Sequence, residues 1–334
     1  MPTARSTPNI AFIKYWGNRF DALRIPMADS VSMTLDAPTV EIDLDHAEVL
    51  GVQSFASDGS ERSLKEKDIA RFQKHLDFTK RYLEHLGVPN AIPASVTITI
   101  RSAIPPAIGL ASSAAVFSCL ARAYQGLISP TIALTDKQTS IIARLGSGSA
   151  ARSIFGGFTA LIAGEGDAID SAYGEQCAQE KHWPLHDIVV VPSMEEKTVG
   201  STEGHATAHT SPFYPARITA ITTRRQQACV DAVLTRDFEK LQAVAEEDSL
   251  DMHHVMETSD PPLQYLSGET HRIIHEVESL RRQRHLPVLY TMDAGPTVHL
   301  VCTEEAAGAI RDFAHAQKDC QVFETKVGGG AHLV

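Results

Sequence analysis

The chain has 334 residues, 41 acidic and 30 basic side chains, a formal charge of −11 and 43% hydrophobic positions. This length suggests two structural domains, since one core rarely grows past about 250 residues, and the apolar fraction suits a globular chain rather than a disordered polyelectrolyte. An acidic chain with no basic run, no apolar stretch near the ~20 residues of a spanning helix and no signal-like N-terminus points to small-molecule partners, not nucleic acid or membrane.

In chain order, strand-like runs come first at Asn9–Tyr15, Val31–Leu35 and Val40–Leu44. A helix is predicted over Leu64–Leu86, opened by a Ser63/Glu66 capping box and carrying Ile69, Phe72, Leu76, Leu83 and Leu86 as its apolar stripe. Ser95–Ser102 alternates, with Val96, Ile98 and Ile100 on one face, as a half-buried strand does. A small-residue helix runs from Ala114 to about Tyr124, and another from Asp136 to Gly146 is capped by Thr135 with Gln138 reciprocating. Glycines and Pro184 thin the pattern over 164–186, which places a domain boundary there. Beyond it lie an apolar run at Ile188–Val191, a polar loop from Ser193 to Pro215, and helices near 217–234, 237–256 and 269–284. Strands at Val288–Met292 and Val298–Cys302, a helix near 304–317 and a strand at Val322–Val327 complete the chain. The alternation argues for an α/β or α+β class, the second half being helices packed on a mostly antiparallel sheet.

Four segments carry chemistry. Pro105-Pro-Ala-Ile-Gly109-Leu-Ala-Ser112-Ser113-Ala114-Ala115 is a glycine-led turn opening a helix. Such a turn points unpaired N–H groups outward at the positive end of the helix dipole and cradles an anion, although an ordinary turn with a Ser cap reads the same way. It lacks the ending of a Walker loop and the spacing of a dinucleotide fingerprint. Gly146-Ser147-Gly148-Ser149-Ala150-Ala151-Arg152-Ser153 offers small residues, two hydroxyls and a planar guanidinium fork for a carboxylate or phosphate, or is a flexible connection. Tyr290-Thr-Met-Asp293-Ala-Gly295-Pro296 sets a carboxylate at a strand end, where it acts in catalysis or caps the turn. Asn9-Ile-Ala-Phe-Ile-Lys14-Tyr15-Trp16-Gly17-Asn18-Arg19 brings a cation and two aromatic rings into a glycine turn, or ends a strand with a snorkelling lysine.

Together and in this order, N-I-A-x-I-K-Y-W-G, G-L-A-S-S-A-A, G-S-G-S-A-x-R-S and Y-T-x-D-A-G-P resemble the mevalonate (di)phosphate decarboxylases of the GHMP kinase superfamily. The resemblance takes in Lys197-Thr-Val-Gly-Ser201-Thr202-Glu-Gly and Met252-His253 before Pro261-Pro262, and extends from Asn9 to the glycines 328–330. It implies an α+β, two-lobed fold: a ribosomal S5-like, ATP-binding N-terminal domain over 1–184 and a ferredoxin-like C-terminal domain over 185–334, in a cytoplasmic homodimer. It also implies ATP and Mg2+ as cofactors and a phosphorylated mevalonate as substrate. ATP phosphorylates a tertiary 3-hydroxyl, and the phosphate then leaves with carbon dioxide to form a double bond. On this likeness Gly109, Leu110, Ala111, Ser112, Ser113 and Ala114 cradle ATP, with Ser112 at the metal and Lys74 near the nucleotide. Asp293 faces the 3-hydroxyl, Arg152 the departing carboxylate, and Lys197 and Ser201 the transferring phosphoryl group. Lys14, Tyr15, Asn18, Ser147, Gly148 and Ser149 line the substrate.

The departures bear on the substrate. Diphosphate-using members read K-Y-W-G-K, and this chain has Asn18 in the last place. Asn donates a hydrogen bond but no charge to a terminal phosphate, so (R)-5-phosphomevalonate, giving isopentenyl phosphate, is the expected substrate. If Arg19 swings in to replace the lysine, the substrate is diphosphomevalonate. Thr202, where bacterial relatives often carry Arg, points to the shorter substrate, while Thr297 in place of the usual Asn affects only turn geometry. A kinase that stops at the 3-phosphate and a catalytically dead sensor are the other readings, and the retained Asp293, Arg152 and Lys197 argue against both.

Other features read as structural. The cysteines Cys119, Cys177, Cys229, Cys302 and Cys320 are odd in number with no C-x-x-C pair, which suits a reducing cytoplasm. His205 and His209 lack metal-site spacing and are expected in solvent. His253, His254, His271 and His275 are expected to cap helices or face solvent, and Arg281, Arg282 and Arg284 to favour a helix C-terminus.

Overall fold

The computed structural model describes residues 1–105, 111–129, 131–192 and 200–334, with 201–203 described by backbone alone. The N-terminal part runs β1 (Thr3–Ser6), β2 (Asn9–Ile13), β3 (Asn18–Phe20), β4 (Ile25–Pro26), β5 (Ser30–Thr34), β6 (Val40–Ala47), β7 (Gly51–Ala56), α1 (Glu66–His85), β8 (Ser95–Ser102), α2 (Ser112–Ile128), α3 (Asp136–Gly146), β9 (Phe158–Ile162) and β10 (Tyr173–Ala178). There follow β11 (Leu185–Val191), α4 (Ser201–Thr207), α5 (Tyr214–Ala220), α6 (Gln226–Thr235), α7 (Phe238–Glu257), α8 (Gly268–Arg284), β12 (Val288–Thr291), β13 (Val298–Thr303), α9 (Glu304–His315), β14 (Gln321–Lys326) and β15 (His332–Leu333).

The period-two strand at 95–102 buries Val96, Ile98 and Ile100 as the alternation requires. It sits in a sheet ordered β15-β1-β6-β8-β7, antiparallel except for the parallel β7–β8 pair. Helices α1, α2 and α3 cover this sheet, and Leu76, Leu83, Leu120 and Ile142 join the strand residues in one core. A second antiparallel sheet, β10-β9-β5-β2, packs Ile10, Phe12, Met33 and Phe158 against Cys229 and Val233 of α6 and Leu241 and Ala245 of α7. A third, β12-β13-β11-β14, is wholly antiparallel and buries Ile188, Val190 and Leu300 under Ile273 and Val277 of α8 and Ile310 of α9. Leu289 and Val301 of this sheet reach into the core beside β2, so the second and third sheets meet there. After β14 the chain returns to the first sheet, where β15 pairs with β1.

Three expectations change. Helix α1 starts at Glu66 rather than 64, because Lys65 is its cap and the Lys65 N–H donates to Asp68 Oδ2 at 3.1 Å, displacing the Ser63/Glu66 box. Ile69, placed on its apolar stripe, is 39% exposed in the first turn. The polar loop expected over 193–215 contains α4 and a 3-10 turn at Ala208–Thr210. Ala208 is buried there beside Trp16, Met252 and Leu263, and this small cluster fastens the segment. Among the described residues no helix is long and apolar enough to cross a membrane, and all five cysteines are free.

Candidate active site

Strand β2 is buried at every position and runs directly into Lys14, itself 2% exposed. The Lys14 N–H donates to Asp248 Oδ2 at 2.7 Å. Asp248 is in turn held by Arg217 Nη2 at 2.9 Å and Arg225 Nη1 at 3.2 Å, with Asp251 accepting from both arginines. Thr291 Oγ1 donates to the Ala11 carbonyl at 3.3 Å and brings the end of β12 alongside β2. There Lys14 Nζ lies 2.9 Å from Asp293 Oδ1. Ser249 accepts the Met292 N–H at 3.0 Å, and His253 Nε2 meets the Asp293 carbonyl oxygen at 2.9 Å, so α7 fixes the strand end as well.

The electrostatics of this pair are set by its surroundings. Burial pushes the Asp293 carboxyl up, but Lys14, His299 and Arg152 outweigh it and hold the group below its ordinary 3.8. Burial pulls Lys14 below its ordinary 10.5 against the opposing effects of Asp293 and Asp248. A carboxylate held below its ordinary value is charged at neutral pH, and Lys14 beside it contributes most to that.

Arg152 lies in a 3-10 turn, Gly148–Ile154, and is 3% exposed. Its Nε and Nη2 donate to Asn9 Oδ1 at 3.2 and 3.1 Å, and its Nη1 donates to Ser30 Oγ at 2.6 Å. Asn9 Nδ2 donates to Ser153 Oγ at 2.8 Å and to the Ser149 carbonyl at 3.0 Å, which closes the clamp. Burial brings the guanidinium down to about 10, where it remains charged at neutral pH.

Tyr15 turns away from Lys14, toward Asn18 and Gly148. Successive side chains of an extended segment leave on opposite sides, and Lys14 goes to Asp293. The Tyr15 hydroxyl donates to Asn18 Oδ1, and Asn18 Nδ2 donates to Asp21 Oδ1 at 2.8 Å. Ser147 Oγ is 3.1 Å from Ser113 Oγ and 3.4 Å from Ser149 Oγ, joining the start of α2 to the 147–149 turn. A Cβ at Gly148 would sit 2.4 Å from Tyr15 Cε1. Gly148→Ala is thus expected to displace the ring and lower kcat/KM by about 10²-fold, with ADP binding by calorimetry unchanged; an unaltered kcat/KM would separate Tyr15 from the substrate.

Ser112 is exposed as the first residue of α2, Ala111 precedes it at φ 35°, and Ala114 is buried. Lys74 is exposed on α1, 5.6 Å from the Phe78 ring, and shares a cavity with Asn18. Gly109, Leu110 and Lys197 lie outside the described residues, as do the side chains of Ser201 and Thr202.

Several partners were missed in the sequence. Asn9 opens a quoted motif yet had no role, and Ser30 and the Asp248 network carry no local signal. His253 is buried, and His205, expected in solvent, lies between Tyr15 and Trp16 at ring distances of 4.4 and 4.5 Å. Its Nδ1 accepts the Gly17 N–H at 3.0 Å, and burial, then Arg24, lowers it to about 3. His209, His254, His271 and His275 are exposed as expected, and the described residues hold no cluster of three or more metal-binding side chains.

Comparison with known proteins identifies the family. The family model for a diphosphomevalonate decarboxylase-like N-terminal domain matches residues 6–173, and that for a mevalonate 5-diphosphate decarboxylase C-terminal domain matches 187–328. The diphosphomevalonate decarboxylase of Danio rerio is 34% identical over 305 residues, covering 89% of this chain and 74% of its own. The crystal structure of mevalonate diphosphate decarboxylase from Staphylococcus aureus superposes with a TM-score of 0.86 at 30% identity, covering 100% of this chain and 97% of the other. A structure described as MDDEF in complex with MVAPP, AMPPCP and magnesium gives 0.85 at 28% identity, with 100% and 98% covered. The fold is therefore the two-lobed α+β GHMP kinase fold, and the chain belongs to the diphosphomevalonate decarboxylase family, the ATP-dependent decarboxylases of the mevalonate pathway.

Proposed function

We propose that this chain decarboxylates a 5-phosphorylated mevalonate at the expense of ATP, with (R)-5-phosphomevalonate as substrate and isopentenyl phosphate, ADP, phosphate and carbon dioxide as products. The observation that carries the chemistry is the Lys14–Asp293 pair at 2.9 Å beside the clamped Arg152. Bound ATP supplies the phosphoryl group, and Mg2+ offsets its charge. Ser112 and Ser113 at the start of α2 would hold its phosphates, and Lys74 the nucleotide. With no carboxylate cluster among the described residues, the ion would take its oxygens from phosphates, water and Ser112, as magnesium commonly does.

Asp293 accepts the proton of the 3-hydroxyl as that oxygen is phosphorylated, and Lys14 keeps the carboxylate ionised and aimed. Arg152 turns its Nε/Nη2 edge to Asn9 and one Nη1 N–H to Ser30, which leaves one N–H on each terminal nitrogen for the substrate carboxylate. The C–O bond to the 3-phosphate then breaks with its electron pair, and the pair from the bond to carbon dioxide forms the double bond. Lys197 and Ser201 are proposed at the transferring phosphoryl group on the family likeness alone. The same likeness supports domains over 1–184 and 185–334 and a cytoplasmic homodimer.

The shorter tail is supported by two contacts. Asn18 spends its amide on Tyr15 and Asp21. Arg19, which could replace the missing lysine, donates to the carbonyls of Ala163, Gly164 and Gly166 and pairs with Asp167 at 3.3 Å. A second reading, diphosphomevalonate giving isopentenyl diphosphate, is favoured by the relatives, which are named for that activity. Steady-state kinetics with both substrates decides. The monophosphate should show the higher kcat/KM, by about tenfold for one missing charge-assisted bond, and Asn18→Lys should raise the value for the diphosphate. A higher wild-type kcat/KM for the diphosphate replaces the first reading with the second. Release of carbon dioxide alongside ADP separates both from a 3-kinase.

A further inference from the structure

The 3-10 turn Asp21–Leu23 ends on Arg24, which adopts φ 51° and ψ 40°. This left-handed conformation is one that side chains other than Gly, Asn and Asp rarely take. Arg144, fully buried, donates to the Leu23 carbonyl and clamps the turn. Arg24 lines a cavity of about 220 Å³ together with Asn18, Asp21, Arg71, Lys74 and Gly146.

The polar groups around this hollow are out of balance. Among the described residues the Arg24 guanidinium has no hydrogen-bond or ion-pair partner. Arg71 donates through Nη2 to the Gly146 carbonyl at 2.9 Å, while its buried Nε has no partner. Among the described residues Lys74 meets only the Phe78 ring. Asp21, the single carboxylate of the lining, accepts from Asn18. Burial, then the Arg24 charge, brings Arg71 down to about 10 against the opposing effect of Asp68, so the two guanidinium groups act on each other. Like charges gathered this way are repulsive until an anion enters. The cavity also adjoins both phosphate-bearing regions: Gly146 precedes Ser147, which touches Ser113, and Asn18 touches Tyr15.

We infer that Arg24, with Arg71 and Lys74, forms a subsite for a phosphoryl group of a bound ligand, and that Arg24 sets its selectivity. The inference rests on the proposed function in taking nucleotide and phosphorylated mevalonate as the ligands. The phosphoryl group comes either from the nucleotide or from the substrate's tail. Arg24→Asn removes the cation and suits the left-handed turn; Arg24→Lys retains the charge; Arg24→Gly, equally at ease there, stands in if the Asn protein does not fold.

Calorimetry with ADP and with inorganic pyrophosphate, and kcat/KM on each mevalonate phosphate, provide the readouts. Arg24→Asn should weaken at least one ligand by about tenfold or more, and Arg24→Lys should recover much of the loss. A loss confined to ADP and pyrophosphate assigns the group to the nucleotide. A loss confined to the mevalonate phosphates assigns it to the tail, and one confined to the diphosphate assigns it to the tail's terminal phosphate. If neither mevalonate phosphate is turned over, the proposed function fails, yet the ADP and pyrophosphate titrations still report on Arg24. Neutral variants that match wild type for all four ligands overturn the inference.

Discussion

Asp293→Asn is expected to lower kcat by about 10³-fold or more, because a positioned proton acceptor contributes roughly 10²–10⁴-fold and the amide also breaks the pair with Lys14. ADP binding, measured by calorimetry, should persist, since Asp293 has Lys14 as its side-chain partner and the nucleotide is proposed at the start of α2. The wild-type pH profile carries the same information. With Asp293 held below 3.8 and Lys14 below 10.5, kcat/KM should lose its acid limb from Asp293 only below 3.8 and its alkaline limb from Lys14 before 10.5, apart from titration of the substrate's own phosphate. The sign for stability follows. A carboxyl depressed in the folded state stabilises above its ordinary value, and that contribution disappears as pH falls through the folded value. Turnover by the Asn variant at the wild-type rate would remove Asp293 from its assigned role.

Asp248→Ala is expected to cost about 3–5 kcal/mol in stability, the usual consequence of leaving buried charges without their partner. Asp248 is fully buried and answers Arg217, Arg225 and the Lys14 N–H at once. Urea denaturation of the variant should show a lower midpoint. Pairing it with Arg217→Met should recover part of the loss, because an apolar replacement removes the orphaned cation. The kcat of the folded fraction should fall too, since the strand end carrying Lys14 loses its anchor. A loss below about 1 kcal/mol would place this network with exposed ion pairs, which contribute little.

How much of this was legible in the chain differs by residue. The strand at 95–102 and the helix at 136–146 appear with the expected periodicity and, for the helix, with the Thr135/Gln138 box in place. Both signals are local, set by side chains within a few residues of each other. The start of α1 was misplaced because two possible caps, Ser63 and Lys65, compete within a few residues, and in the fold Asp68 takes the Lys65 N–H. Asp293 and Arg152 stood out because each ends or turns an element at a glycine-rich motif. Their partners did not: Asn9 and Arg152 are 143 residues apart, Lys14 and Asp293 279, and Lys14 and Asp248 234.

By itself, the sequence determined the class of elements, the glycine turns, the order of the motifs and hence the family. Those properties depend on short-range periodicity and on residue type. Tertiary structure decided which charges meet. It brought β12 against β2 so that a buried lysine keeps Asp293 ionised, held Arg19 on the 163–166 carbonyls, placed His205 between two rings and gathered three cations beside Asn18. The free energy of a charge depends on burial and on neighbours far away along the chain, and only the folded arrangement specifies those.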